Sequence, residues 1–302
     1  MAMDSRLRRW VRSTPWLRKL YLWVKFAPGA EMRRRRALRA HGAEWSRELD
    51  EVTHISSSGL YDLELPLANP VQPYQGRNFL GYPPMSGLHL DGVDIGWSLE
   101  RLVSFESLSF PVYQVATDLE FNLPLLFETY RPGLVMDFGT ASGASSVLFA
   151  QLMSEYARDG RVMTVDINDP TEGPDGPSFT EVLKKLPVTS HVGDAVSDET
   201  RAMVKEFLAG RGEETVLVSL DDDHSADHVL QELRIYSELL RPGDVIVVQD
   251  TWDQGFRDAS ISALLGVLRF LRESDKFVLD RDLLRRLKLP CSFVHGVLVR
   301  TR

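Results

Sequence analysis

Five short apolar runs recur between residues 134 and 250, and each delivers an acid or an amide at its carboxyl end. They are Leu134–Phe138, Arg161–Asp166, Val188–Val192, 215–220 and 244–250. Apolar runs of this length, rich in valine, read as strands covered on both faces. Each is followed by a stretch with helical spacing of its apolar positions: Ala144–Tyr156, 178–186, 199–208, 226–240 and Ala259–Glu273. A further helix over 117–130 precedes the first strand. The alternation predicts a doubly wound α/β sheet. Phe277–Leu279 and 292–299 read as two late strands, a hairpin-like pair at the sheet edge. Upstream the pattern changes. Residues 48–110 are rich in Gly, Pro, Ser and aromatics and read as loops and short elements, a lid or an oligomer contact, while 1–47 read as a helical extension.

The sharpest local signal follows the first run, in Asp137-Phe-Gly-Thr-Ala-Ser-Gly143. Glycine lets backbone approach a ligand closely, because no Cβ stands in the way. Open α/β sheets place their ligands beyond the carboxyl ends of their strands. The spacing is G-x-x-x-G rather than the dinucleotide G-x-G-x-x-G, which disfavours a nicotinamide enzyme. An acid two residues before Gly139 suits an amino-bearing ligand better than a pyrophosphate. Asp166 ends the second run 23 residues after Gly143, where an acid can hold both hydroxyls of a ribose. The third run leads into Gly193-Asp194-Ala195, the fourth into Asp221-Asp222-Asp223-His224, and the fifth ends in Gln249-Asp250. Asp221, Gln249 and Asp250 offer an oxygen set that suits magnesium, with Gln249 bringing no charge. His224 is the candidate general base, because imidazole suits proton transfer near neutral pH. His228, one helical turn further on, is held in reserve. Ordinary structural roles compete at each position. Asp166 and the acids at 221–223 can cap helices, and Gly193-Asp194 is common turn chemistry.

A longer set of segments then extends the picture: Tyr113-Gln-Val-Ala-Thr-Asp118, Arg131-Pro132, the glycine turn, Leu220-Asp-Asp-Asp-His-Ser225 with His228 and Val229, Arg241-Pro-Gly243, Val248-Gln-Asp-Thr251 and Gly296-Val-Leu-Val-Arg300. From about residue 110 to 302 the chain resembles a class I S-adenosylmethionine-dependent methyltransferase, within the group of cephalosporin hydroxylase and the rhamnosyl O-methyltransferases. The resemblance implies a Rossmann-like, seven-stranded methyltransferase sheet with S-adenosylmethionine as cofactor. It gives Gly139, Thr140 and Gly143 the methionine part, Asp137 the amino group, Asp166 the ribose, and Asp194 with Ala195 the adenine. Two departures stand out: Asp137 replaces the usual Glu, and Gln249 occupies a position that is usually a carboxylate.

Composition narrows the setting. A chain of 302 residues can bury a large core, and residues 111–302 make one catalytic domain. The single cysteine, Cys291, rules out an internal disulfide and fits a reducing cytoplasm. No run of about 18 apolar residues occurs, and the apolar stretch near Leu20 is broken by charges, so neither a span nor a secretory leader is expected. Charge is divided unevenly. Residues 1–47 carry 13 Lys or Arg against three acids, so the rest of a chain of net charge −8 carries −18. The basic arm contains a possible helix over 15–26, with Pro15 at its first position and Trp16, Leu17, Leu20, Tyr21, Trp23 and Val24 on one broad face. It could lie on an anionic inner membrane surface, or pack on the acidic body or a sister subunit of a homo-oligomer. The acidic body disfavours a nucleic-acid substrate. The expected activity is transfer of a methyl group to a hydroxyl of a small molecule, a sugar or glycosylated natural product, with magnesium as the metal. The other readings are a non-catalytic S-adenosylmethionine binder or scaffold, and a hydroxylation-associated role in natural-product biosynthesis. The latter lacks a two-histidine, one-carboxylate iron triad of suitable spacing.

Overall fold

The computed structural model describes residues 51, 85–86, 111–112, 118, 122–141, 143–156, 159–172, 176–251, 259–287, 291–293 and 295–302. The basic arm with its expected helix over 15–26, and nearly all of 48–110, lie outside the described residues.

Seven strands form one sheet: β1 Leu134–Phe138, β2 Arg161–Asp166, β3 Val188–Val192, β4 Val216–Leu220, β5 Val245–Val248, β6 Phe277–Leu279 and β7 Val297–Arg300. Their order is β3-β2-β1-β4-β5-β7-β6. The first five are parallel, and β7 runs antiparallel to both of its neighbours. The helices are α1 Leu123–Tyr130, α2 Ala144–Tyr156, α3 Gly176–Lys185, α4 Asp198–Ala209, α5 Ala226–Ser237, α6 Ala259–Glu273 and α7 Arg281–Arg286. The doubly wound reading is therefore correct, and the strand order reverses between β1 and β4. The late strands pair antiparallel at the sheet edge, as expected, with β7 next to β5 and β6 outermost; helix α7 lies between them in sequence, so no tight turn joins them. A short antiparallel ribbon joins Met85–Ser86 to Pro111–Val112.

Alternation along the strands builds two cores. Val135, Leu217, Val245 and Val247 face one side, with α1, α2, Phe179 and Val182 of α3, and Leu283 of α7. Leu134, Met136, Phe138, Val216, Val218, Leu220, Ile246 and Val248 face the other, with α4, α5 and α6. Every residue of β1, β4 and β5 is buried, as expected of parallel strands covered on both faces. Beneath the sheet, the nearly inaccessible Arg211–Asp244 pair at 2.8 Å ties the start of β5 to the loop before β4, and Asp244 also accepts from the Val216 N–H at 2.9 Å. Among the described residues, no helix is long and apolar enough to cross a membrane.

Candidate active site

The turn after β1 is shaped by its neighbours. Gly139 and Gly143 have φ of 95° and 85°, a region that only glycine enters freely. A Cβ at Gly139 would lie 2.2 Å from the Asp221 carbonyl oxygen, and one at Gly143 would lie 2.1 Å from the Phe179 ring. Both glycines are thus required by packing within the protein, beyond any need to admit a ligand. The turn is pinned from below. Thr140 Oγ1 lies 2.5 Å from Thr164 Oγ1, which also donates to the Asp137 carbonyl. Thr140 is buried, so its hydroxyl serves the β1–β2 joint.

Asp137 is fully buried on the face of the sheet that meets α2. Its Oδ2 accepts from the hydroxyls of Ser145 and Ser146, each at 2.8 Å, at the start of that helix. Its Oδ1 has no partner. Burial pushes its pKa up to about 6; the seryl hydroxyls pull the other way, and the charge of Asp166 adds to the rise. A buried carboxylate with one oxygen unsatisfied is a place for an ammonium group. Sequence reasoning missed the two serines. Their signal was available as hydroxyls at the second and third positions of the helix following an acid-bearing strand.

Asp166 stands beside this turn. Its Oδ2 accepts from the Ala141 N–H at 2.9 Å, and its Oδ1 accepts from the Asn168 N–H at 2.8 Å. Oδ1 also accepts from Asn168 Nδ2 at 3.2 Å, so Asp166 braces the glycine turn while Oδ2 keeps a second lone pair for a hydroxyl. Asp194, after β3, accepts from the Val196 N–H at 3.0 Å and forms the expected turn. Ala195 is buried, and its carbonyl accepts the Tyr236 hydroxyl.

At the ends of β4 and β5 three side chains converge. His224 Nε2 lies 3.4 Å from Asp250 Oδ2 and 3.9 Å from Asp221 Oδ1. The donor atoms of all three residues fall within 4.8 Å of one another. Asp250 reaches this point from a left-handed turn, φ 51°, a conformation in which Asp and Asn are enriched. Gln249 does not join them. Strand alternation puts it on the same face as Val245 and Val247, where it is buried; its Nε2 donates to Ser219 Oγ at 3.1 Å and its Oε1 accepts from Ser292 Oγ at 3.3 Å. Gln249 therefore stands apart from the candidate metal ligands, which reduce to Asp221 and Asp250, with His224 beside them. Asp223 takes the structural role foreseen for one of the three acids, accepting from the Ser225 N–H at 2.9 Å just before α5. His228 points elsewhere and pairs with Asp222 at 3.2 Å.

The strand ends are stitched together. The Asp221 N–H donates to the Phe138 carbonyl and the Gln249 N–H to the Leu220 carbonyl, each at 2.9 Å. Asp137, Gly139, Thr140, Gly143, Asp166, Asp221, His224 and Asp250 thereby share one continuous edge of the sheet, across the point where strand order reverses.

A rhamnosyl O-methyltransferase from Mycobacterium tuberculosis (strain ATCC 25618 / H37Rv) is 30% identical over 130 residues, 43% of this chain and 50% of that protein. The Mycobacterium leprae (strain TN) protein of the same name is 30% identical over 121 residues, 40% of this chain and 49% of that protein. The matched region thus spans about half the length of these curated relatives. Among solved structures, a cmcI structure labelled Mg-SAM is 18% identical with a TM-score of 0.43, covering 82% of this chain and 100% of its own. A cmcI structure labelled SAH is 16% identical with a TM-score of 0.40, covering 63% and 79%. The family model described as Rhamnosyl O-methyltransferase/CmcI matches residues 100–299, and the chain belongs to that family.

Proposed function

We propose that this chain is an S-adenosylmethionine-dependent O-methyltransferase acting on a hydroxyl of a small molecule, a sugar or a glycosylated natural product. One observation carries the reading: the Asp221–His224–Asp250 cluster stands beside a glycine turn that holds a buried carboxylate with one oxygen unsatisfied. Membership of a family named for a rhamnosyl O-methyltransferase supports both the reaction and the sugar class of acceptor.

Roles follow from chemistry. An ammonium group reaching Asp137 Oδ1 supplies the donor that this oxygen lacks. The remaining lone pair of Asp166 Oδ2 suits a ribose hydroxyl, and Asp194 and Ala195 border the adenine side. S-adenosylmethionine, when bound, supplies a methyl on a sulfonium, an electrophile that the protein need only position. Asp221 and Asp250 would hold magnesium through their oxygens, which leaves the imidazole nitrogen of His224 free. Such an ion would favour the alkoxide form of the acceptor. His224 Nε2 takes the hydroxyl proton as the oxygen–carbon bond forms and the carbon–sulfur bond breaks.

The test is turnover. With S-adenosylmethionine and a panel of rhamnosides and other glycosides, S-adenosylhomocysteine should accumulate only when an acceptor is present. His224→Ala should lower the rate by about 10²-fold or more, the usual contribution of a general base. Cofactor binding without product across the panel would instead mark a binding protein.

A further inference from the structure

A second group of metal-ligating side chains lies on α5, outside the cluster just described. His228 and Glu232 sit four residues apart, one turn of α5 apart on the same face, and Asp222 comes from the loop before that helix. His228 Nε2 is 3.2 Å from Asp222 Oδ2 and 3.9 Å from Glu232 Oε2. The three donor atoms fall within 4.8 Å of one another. A four-coordinate cation with bonds of about 2.0–2.2 Å separates its ligands by about 3.3–3.6 Å. The observed spacings bracket that value.

The independent observation is Glu232. It is fully buried, and neither of its carboxylate oxygens meets a donor. Asp222 Oδ1 is likewise buried and without a partner. Asp222, Asp223 and Asp194 all press negative charge on Glu232. A single imidazole nitrogen cannot donate one proton to two carboxylates, whereas one cation can take all three donors. Glu232 forms the floor of this pocket, and Asp222 and His228, each about one-fifth exposed, form its rim. An ion can therefore enter from the surface.

We propose that Asp222, His228 and Glu232 form a second cation site, distinct from Asp221–His224–Asp250, that takes a divalent transition metal. One imidazole with two carboxylates suits zinc, cobalt or manganese better than magnesium. Occupancy clamps the loop before α5 to the helix itself. That loop carries Asp221 and His224.

The experiment uses the full chain, stripped with chelator and titrated with zinc or cobalt. Uptake is read by calorimetry, and cobalt by its absorption spectrum. Asp250→Asn disables the first cluster while keeping a residue suited to the left-handed turn. This variant should still take up about one equivalent, and adding Glu232→Gln should abolish that uptake. On the otherwise unchanged chain, Glu232→Gln should lower total uptake by about one equivalent. If that variant does not fold by circular dichroism, His228→Gln at the rim carries the same expectation. No uptake by Asp250→Asn, or unaltered uptake when Glu232 or His228 is replaced, overturns the site. The latter result would leave Glu232 and Asp222 as a carboxyl pair sharing a proton.

Discussion

Replacing Asp137 by Asn should remove a loss of stability that wild type suffers as pH rises, and at the same time weaken cofactor binding. The carboxyl group is fully buried without a cation, and its pKa is pushed from an ordinary 3.8 to about 6. The folded state therefore holds this proton more tightly than the unfolded state does. Stability from this group is fully present below about pH 4 and is lost as pH rises through about 6. A displacement of roughly two pH units corresponds to about 3 kcal/mol. Asn carries no charge, so its stability has no such slope. Its buried amide adds a cost that does not depend on pH, and this cancels when the two proteins are compared at two pH values. Between about pH 4 and pH 7.5 the difference in unfolding free energy, variant minus wild type, should move in the variant's favour by about 3 kcal/mol. Urea melts of the ligand-free proteins at both pH values measure this. At pH 7.5 the variant should also bind S-adenosylmethionine at least tenfold more weakly, because the ammonium loses its counter-charge. Proton release on cofactor binding should appear in wild type near pH 5.5 and vanish in the variant. A pH-independent stability difference, or equal cofactor affinity, would refute the reasoning.

Three further outcomes follow from the geometry. Gly139→Ala should destabilise the ligand-free protein by several kcal/mol, because the added Cβ meets the Asp221 carbonyl at 2.2 Å and the residue needs a φ of 95°; a melting temperature unchanged from wild type would contradict this. Excess chelator should cut turnover and magnesium should restore it, with Asp250→Asn insensitive to both; full activity in chelator would remove the metal from the proposed chemistry. Deleting residues 1–30 should leave cofactor binding intact, because the proposed cofactor residues all lie after Leu134. If residues 15–26 form an interfacial helix, only the full chain should pellet with anionic vesicles, and salt should weaken that binding; equal pelleting of both forms would reject the membrane contact.

The central strands were legible because burial on both faces leaves little room for polar residues in β1, β4 and β5. The late strands were legible as an edge pair, but not the order that puts β7 beside β5 and β6 outermost, because that order joins strands far apart in sequence. Acids at strand ends marked the candidate site, since a parallel sheet brings all its carboxyl ends to one side. Gln249 was misplaced for a simpler reason. Alternation keeps Gln249 on the buried face of Val245 and Val247, where Ser219 and Ser292 hold its amide, while the left-handed turn carries Asp250 to His224. The glycines were found for an incomplete reason. Their Cα atoms face the Asp221 backbone and the Phe179 ring, contacts between residues about 80 and 36 positions apart that no local pattern encodes. The pairing of His228 with Asp222 and Glu232 stayed hidden because it joins a helix face to a loop.

Calorimetry of S-adenosylmethionine binding to the full chain and to Asp166→Ala tests the central claim most directly. Asp166 Oδ2 accepts from the Ala141 N–H and keeps one lone pair for a ribose hydroxyl. The wild-type chain should bind the cofactor at a single site, and the variant should bind it at least tenfold more weakly, a loss of about 1.4 kcal/mol or more. No binding to the wild-type chain, or the same affinity in both proteins, would contradict the assignment of this sheet edge as a methyl-donor site.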